Sequence, residues 1–169
     1  AMEFKITDPE GKTIKKDHTQ VGNIWVKGPT VINKYYKERD FCVDSEGWFD
    51  TGDIGNLDDD GYISLTDRSK DLIKSGGEWI SSIHLEQIIR RHPKVYDASV
   101  IGIKDKKWGE RPLVIAEIEK NENASEGEIL DYFKDKIAKW QIPDKVIFVD
   151  ELPLSSTGKP LKNKLRDKY

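Results

Sequence analysis

The spacing of the apolar residues changes between residues 68 and 74, and this change most limits how the chain can fold. Before it, short apolar runs such as the one at 24–26 are separated by turns rich in Gly, Pro and Asp, which is typical of β-strands. After it, Leu85, Ile88, Ile89 and His92 follow the helical spacing i, i+3, i+4, i+7. The two parts of the chain are therefore expected to differ in secondary structure.

We expect an α+β fold. Residues 1–69 would form a β-rich piece, and residues 70–169 a mixed domain of helices on a small sheet. The first piece has many turns and few apolar residues, so it would bury little surface by itself. We therefore expect it to pack against something outside this sequence.

The individual elements follow from local patterns. Strands are predicted at 4–6, 24–26, 48–54 and 62–65 in the first part, the last two joined by an Asp-Asp-Asp-Gly turn, and at 98–103, 113–118 and 146–149 in the second. Three helices are predicted: one capped by Ser82 that ends before Pro93, one from the Ser125 and Glu128 capping box to Trp140, and a basic one with Leu161 and Leu165.

Composition and charge narrow the classes of function. With 28 Lys+Arg against 31 Asp+Glu, the net charge of -3 argues against a general nucleic-acid binder. Cys42 is the one cysteine, which excludes an internal disulfide and favours a reducing, cytoplasmic setting. No apolar run approaches the roughly 20 residues of a membrane helix. His18, His84 and His92 lack the spacing of metal ligands, so we expect no metal site.

The first candidate for chemistry is Thr51-Gly52-Asp53, at the end of a predicted strand. A glycine before an aspartate lets a ligand approach the backbone closely, and the carboxylate could then accept hydrogen bonds from a ribose diol. An aspartate in this place more often satisfies the amides of a turn. The tripeptide alone leaves both interpretations open.

The second candidate is the charged segment at 67–80, which combines cations with a Gly-Gly pair. Arg68, Lys70 and Lys74 could neutralise phosphates, and a guanidinium can also fork onto a diol. The glycines could form a loop whose backbone lies close to a substrate. A solvated charged turn between two domains explains the same residues equally well.

The third candidate is the small-residue loop at 153–160, with Lys159 near its tip. Its glycine spacing is not that of a nucleotide phosphate-binding loop, and no Ser or Thr follows the lysine. Lys159 could still reach a developing negative charge on a carboxylate or phosphate. A surface lysine before a helix is the commoner explanation of such a residue.

Together and in this order, the three segments resemble the adenylate-forming superfamily of acyl-CoA synthetases, peptide-synthetase adenylation domains and luciferases. The resemblance runs from about Ile24 to the end of the chain, and the stretch KDLIKSGGEWISS at 70–82 is most similar to medium- and long-chain fatty acyl-CoA synthetases. It implies that a carboxylate attacks the α-phosphorus of ATP to give an acyl-adenylate, and that the CoA thiol then displaces AMP. The implied small-molecule partners are a carboxylic acid, ATP and CoA, with Mg²⁺ accompanying ATP.

The resemblance also implies residue roles. Asp53 would bind the ribose hydroxyls of ATP or AMP, and Arg68 would lie close to the ribose and phosphate. Lys70 would be the hinge about which the C-terminal domain rotates between the two steps. Lys159 would be the adenylation lysine, between the carboxylate and the α-phosphate. The loop that enters for thioester formation and lines the pantetheine channel would contain Gly76, Gly77, Glu78 and Trp79, with Lys74 a further candidate for that step.

On this interpretation, residues 1–69 are the C-terminal end of a large N-terminal adenylation domain, and residues 70–169 are the mobile C-terminal domain. The phosphate loop, adenine-binding segment, acid pocket and any Mg²⁺ ligands would lie in the rest of the N-terminal domain, so the chain alone is expected to be inactive. Two other interpretations stay open: an adenylation domain that loads a carrier protein, and a non-catalytic nucleotide- or partner-binding module. The acyl chain length is not predicted.

Overall fold

The computed structural model describes residues 1–8, 10–15 and 20–169, and the chain divides into two compact units, Ala1–Lys70 and Asp71–Tyr169. The first unit ends one residue after the boundary expected from the sequence. Its interpretation as the end of a larger domain stays a prediction. The predicted α+β class is confirmed, because the first unit is built on strands and the second combines strands with helices.

In the described residues of the first unit, four strands form an antiparallel sheet and pair in chain order. The strands are β1 (Glu3–Thr7), β2 (Gly22–Lys27), β3 (Phe49–Leu57) and β4 (Ile63–Arg68). Ile6, Ile24 and Leu57 form its small core. The predicted turn between β3 and β4 is confirmed: the N–H of Gly61, which has a φ of 89°, donates to the carbonyl of Asp58 at 3.1 Å.

The segment between β2 and β3 carries large apolar side chains that are exposed in this chain. Tyr36 is 89% exposed and Phe41 69% exposed, and Ile32 and Tyr35 are about half exposed. Exposed apolar groups of this size are common at surfaces that another protein segment covers. This arrangement agrees with the expectation that the β-rich part buries little surface by itself.

The second unit contains five strands and three helices in a mixed order. In sequence they are β5 (Ile73–Ser75), β6 (Glu78–Ile80), α1 (Ser82–Ile89), β7 (Val95–Asp105), β8 (Gly109–Ile118), α2 (Glu126–Asp131), a 3-10 helix at Lys139–Gln141, β9 (Lys145–Val149) and α3 (Lys162–Lys168). The predicted strands at 98–103, 113–118 and 146–149 correspond to β7, β8 and β9. The short hairpin β5–β6 was not predicted as strands.

β8 is the central strand of the second sheet. It pairs antiparallel with β7 along its length, parallel with β9 over Leu113–Glu117, and with β5 at Gly109. Val100 and Ile101 point to opposite faces because side chains alternate along a strand. The Val100 face is covered by α1 and α2, and the Ile101 face by Leu165 of α3.

Two predicted helix limits were wrong. The N-cap of α1 is Ser81, whose Oγ accepts from the N–H of His84 at 3.1 Å, and Ser82 instead accepts a hydrogen bond from Lys162 at 2.7 Å. The helix that begins at the Ser125 cap ends at Asp131 rather than at Trp140. The backbone turns away from helical geometry at Asp135, which has a φ of 62°.

Candidate active site

Asp53 and Arg68 face each other across β3 and β4 and form an ion pair. They are register partners, and the Nε of Arg68 lies 3.1 Å from a carboxylate oxygen of Asp53. The side chain of Arg68 is 58% exposed and that of Asp53 28% exposed. A carboxylate and a guanidinium side by side at the surface offer both acceptors for a diol and donors for a phosphate.

The backbone beside this pair is held by polar groups other than Asp53. Gly52 has a φ of 69°, and its carbonyl accepts from the N–H and the Oγ of Ser69 at 2.9 and 3.2 Å. The N–H of Gly52 donates to the carboxylate of Asp50 at 2.8 Å. Asp50 therefore performs the turn-capping role that the sequence offered as the alternative for Asp53.

The hairpin β5–β6 carries the predicted loop residues. Lys74 pairs with Trp79 and Ser75 with Glu78, and the turn between the strands consists of two glycines. Both have positive φ, 62° for Gly76 and 87° for Gly77. This is the backbone of a tight two-residue hairpin turn, which strongly favours glycine at both positions.

Four consecutive residues at the end of the β7–β8 turn and the start of β8, Trp108–Arg111, hold this hairpin. The carbonyl of Trp108 accepts from the N–H of Gly76 at 2.8 Å, and the carboxylate of Glu110 accepts from the N–H of Lys74 at 2.9 Å. The indole of Trp108 lies directly over Gly76: a Cβ at that position would be 2.8 Å from the ring. The fit therefore requires glycine for its size as well as for its φ.

Arg111 is buried, with only 8% of the residue exposed, and its side chain binds several distant residues. The sequence analysis missed this residue. It forks onto Asp144, with its Nε 2.7 Å and its Nη2 2.8 Å from the two carboxylate oxygens. Its remaining donors reach the Oγ of Ser75 and the carbonyls of Trp140 and Ile142 at 2.6–3.0 Å. Because these partners are distant in sequence, the local spacing of residues could not predict the hydrogen bonds of Arg111.

A cleft of about 410 Å³ opens beside the hairpin turn. It is lined by Ser75, Gly76, Glu78, Trp108, Arg111, Trp140 and Asp144. The two tryptophans are partly exposed, 45% for Trp108 and 43% for Trp140. The cleft thus combines apolar ring surface with the Arg111–Asp144 pair.

Lys159 lies on a separate loop of the second unit, which is closed by hydrogen bonds between its own residues. Ser155 binds the backbone of Lys159 twice, by its N–H to the carbonyl at 2.8 Å and by its Oγ to the amide at 3.1 Å. Leu154 and Pro160 form a β-bridge at the base of the loop. The Lys159 side chain is exposed, and no partner for its ammonium is found among the described residues. The loop presents a free cation on a constrained backbone.

The predicted site residues thus fall into separate groups. Asp53 and Arg68 are paired in the first unit. Lys70 is exposed and is the last residue of that unit. The hairpin groups together Lys74, Gly76, Gly77, Glu78 and Trp79. The loop of Lys159 is a third group.

The described residues contain no group of three or more His, Cys, Asp or Glu that could hold a metal ion, and His18 lies outside them. His92 is buried, contacts the ring of Tyr132 edge-on, and accepts a hydrogen bond at Nδ1 from the N–H of Lys94. Burial lowers its pKa, partly opposed by the charge of Glu128. These contacts give His92 a structural role.

Comparison with known proteins assigns part of the chain to a family. Residues 84–159 match the AMP-binding enzyme C-terminal domain. Over 99% of its length, the chain is 51% identical to a 3-methylmercaptopropionyl-CoA ligase of Ruegeria lacuscaerulensis and 48% identical to a medium-chain-fatty-acid–CoA ligase of Ectopseudomonas oleovorans. It spans 31% of the length of each of these relatives.

Among solved structures, ATP-bound MatB from Rhodopseudomonas palustris matches with a TM-score of 0.88 and 34% identity, over 99% of this chain and 34% of that one. The apo form of MatB matches the same share of the chain with a TM-score of 0.63. Since the two structures are of the same protein, MatB differs in conformation between them in the matched region.

No helix within the described part of the chain is long and apolar enough to cross a membrane.

Proposed function

We propose that this chain is the C-terminal portion of an ATP-dependent acyl-CoA synthetase. The reason is that the chain belongs to the adenylate-forming enzymes and carries an AMP-binding enzyme C-terminal domain at residues 84–159. The full reaction joins a fatty acid to CoA through an acyl-adenylate and releases AMP and pyrophosphate. Residues 1–69 would complete the large N-terminal domain, and residues 70–169 would be the mobile C-terminal domain.

The observation that carries the proposal is the free ammonium of Lys159 on its closed loop. Adenylation brings a carboxylate and the α-phosphate of ATP together, and both are anions. A cation held where they meet stabilises the charge that develops in the transition state, and it is most effective when its position is set beforehand. The two hydrogen bonds between Ser155 and the backbone of Lys159 hold the base of this side chain in place.

Asp53 and Arg68 fit the nucleotide in the same step. The carboxylate of Asp53 would accept hydrogen bonds from the ribose hydroxyls. The exposed guanidinium of Arg68, already aligned by its ion pair with Asp53, has further donors for the ribose and phosphate. ATP binding is supported by the match to an ATP-bound relative. Mg²⁺ would accompany the phosphates and be held outside the described residues.

The second step would use the hairpin β5–β6. The thiol of CoA attacks the acyl carbon, and AMP leaves. The turn of Gly76 and Gly77 has no side chains, so the pantetheine arm could pass close to its backbone. Lys74, Glu78 and Trp79 lie on the flanking strands and would line the channel, with Lys74 supplying a positive charge.

Lys70 would be the hinge between the two steps. The division of the chain into compact units falls directly after it. A hinge has to absorb a large change in backbone angles at a few residues between rigid parts. The ATP-bound and apo forms of MatB match this chain with TM-scores of 0.88 and 0.63, which supports such a movement in that relative.

The test measures both half-reactions in the full-length protein with ATP, Mg²⁺ and CoA, using acids from acetate to long-chain fatty acids. We expect Lys159→Ala to lower pyrophosphate release by about 10²-fold or more, and to spare transfer from preformed acyl-adenylate to CoA. Lys164→Ala, an exposed lysine on α3, is the control. If the wild type forms no acyl-CoA from any acid, or if Lys159→Ala leaves pyrophosphate release intact, the proposal is wrong.

A further inference from the structure

The hairpin β5–β6 buries Ile73 and Ile80 in the core of the second unit, but its backbone pairs little with the sheet. Within the described residues, β5 pairs with β8 at one position, Ser75 with Gly109, whereas β7 pairs with β8 along its whole length. A two-stranded hairpin of three residues a strand is not stable by itself. The position of its Gly-Gly turn must therefore depend on contacts outside the strand pairing.

Arg111 makes the contacts that join the hairpin to a segment far away in the sequence. The hydrogen bonds that the hairpin donates to Trp108 and Glu110 tie it to the neighbouring end of β8. Arg111 joins Ser75 of the hairpin to the segment Trp140–Asp144, which forms another wall of the cleft. All five N–H donors of its guanidinium are engaged, so the group can occupy this place in one orientation.

We propose that Arg111 is a positioning residue for the transfer of the acyl group to CoA: it fixes the Gly76–Gly77 turn relative to Trp140–Asp144. The proposal rests on the proposed function, in which this turn lines the path of the pantetheine arm. In this role Arg111 would touch neither the acyl carbon nor the thiol. It acts through Ser75, which immediately precedes the turn.

An arginine suits this place for a geometric reason. The planar fork matches the two oxygens of Asp144 while its other edge still reaches Ser75 and two backbone carbonyls. A lysine keeps the charge but has one nitrogen and cannot hold the same partners simultaneously. Arg111→Lys therefore separates the positioning role from the charge, and Ser75→Ala removes the link to the hairpin while leaving the fork onto Asp144.

The experiment measures the two half-reactions separately in the full-length enzyme, with Arg111→Lys, Ser75→Ala and Ser75→Thr. We expect Arg111→Lys and Ser75→Ala to lower acyl transfer from preformed adenylate to CoA by about tenfold or more, the scale at which small misplacements reduce rates. Pyrophosphate release in the first half-reaction should stay within about twofold of the wild type. Ser75→Thr, which keeps the hydroxyl, should restore most of the transfer rate. Arg91→Lys, at an exposed arginine after α1, is the matched control.

A second measurement on the 169-residue chain separates positioning from misfolding. In Arg111→Lys and Ser75→Ala, amide hydrogen exchange at Gly76, whose N–H is bonded to Trp108, should accelerate by about tenfold or more. Exchange at Val114 and Ile115, in the middle of β8, should stay as in the wild type.

The outcomes are distinct. Selective loss of acyl transfer together with local loosening at Gly76 supports the role of Arg111. An equal loss of both half-reactions, unchanged transfer, or loosening throughout β8 overturns it while leaving the proposed function intact. Absence of acyl-CoA formation by the wild type overturns the proposed function, and the role of Arg111 with it.

Discussion

The ammonium of Lys162 lies 2.8 Å from a carboxylate oxygen of Glu86, and both side chains are largely buried. Lys162 begins α3, three residues after Lys159, and Glu86 lies on α1. The same carboxylate oxygen accepts from the N–H of Val100 at 2.8 Å. The start of α3, and with it one end of the Lys159 loop, is therefore anchored to the interior of the second unit.

Removing one partner of this pair should destabilise the fold strongly. Lys162→Met removes the closer cation of the buried Glu86 carboxylate and leaves the more exposed guanidinium of Arg90 at 3.9 Å, so a cost of about 3 kcal/mol is expected. Glu86→Gln combined with Lys162→Met should recover part of this loss, because the double variant has no buried charge at this place. Urea unfolding of the chain measures both effects.

Lys164→Met on the same helix serves as the control, because Lys164 is exposed. It should change the free energy of unfolding by less than about 0.5 kcal/mol. Equal losses for Lys162→Met and Lys164→Met would contradict a specific role for the buried pair.

The two glycines of the hairpin turn should respond differently to alanine. Both substitutions strain a positive φ, which costs on the order of 1 kcal/mol. A Cβ at Gly77 meets no heavy atom within 4 Å, whereas a Cβ at Gly76 would displace the indole of Trp108. NMR should therefore show a shifted Trp108 indole N–H in Gly76→Ala and a nearly unchanged one in Gly77→Ala. The same shift in both variants would show that strain in the turn, and not the contact with the indole, changes the Trp108 signal.

His92 should make stability depend on pH. Burial lowers its pKa, with Glu128 opposing and Lys94 and Lys136 reinforcing the shift, so the folded state favours the neutral ring. The unfolded chain then binds a proton more readily. The contribution of His92 is complete above the ordinary histidine pKa of about 6.5 and decreases as the pH falls below it.

The comparison of wild type with His92→Gln at pH 7.5 and at pH 5 isolates this effect, because the other titrating groups are shared. The wild type should lose more stability on acidification, by at most about 1.4 kcal/mol per pH unit. NMR titration of the ring should give a midpoint below about 6.5. A midpoint above that value, or equal losses in the two proteins, would reject the prediction.

Asp53 should matter for nucleotide binding and little for stability. Its ion pair with the exposed Arg68 is partly solvated, so Asp53→Asn should change the free energy of unfolding by less than about 1 kcal/mol. In the full-length enzyme the same change should raise the KM for ATP roughly 10- to 100-fold, through weaker hydrogen bonds to the ribose hydroxyls.

The sharper readout uses 2′-deoxy-ATP. The wild type should prefer ATP over the deoxynucleotide, and Asp53→Asn should lose most of that preference. Asp59→Asn, at an exposed turn residue of the same unit, should keep it. If Asp53→Asn still prefers ATP over 2′-deoxy-ATP, the ribose hydroxyls do not bind to Asp53.

Much of the fold was readable from the sequence because its signals are local. Short, nearly continuous apolar runs predicted β7 and β8, and the turn at Asp58–Gly61 predicted the β3–β4 hairpin. The three segments that resemble adenylate-forming enzymes are short and follow one another along the chain. Backbone preference and burial of one face are properties of neighbouring residues, so they are visible without tertiary structure.

The sequence by itself determined the class of the fold, its main strands and the candidate residues Asp53, Arg68 and Lys159. Only the tertiary structure decided which residues meet over long separations. The helix predicted to reach Trp140 stops at Asp131, and Arg111 binds the carbonyl of Trp140 from β8. Such contacts join residues that are far apart in the sequence, so the periodicity of neighbouring residues does not predict them.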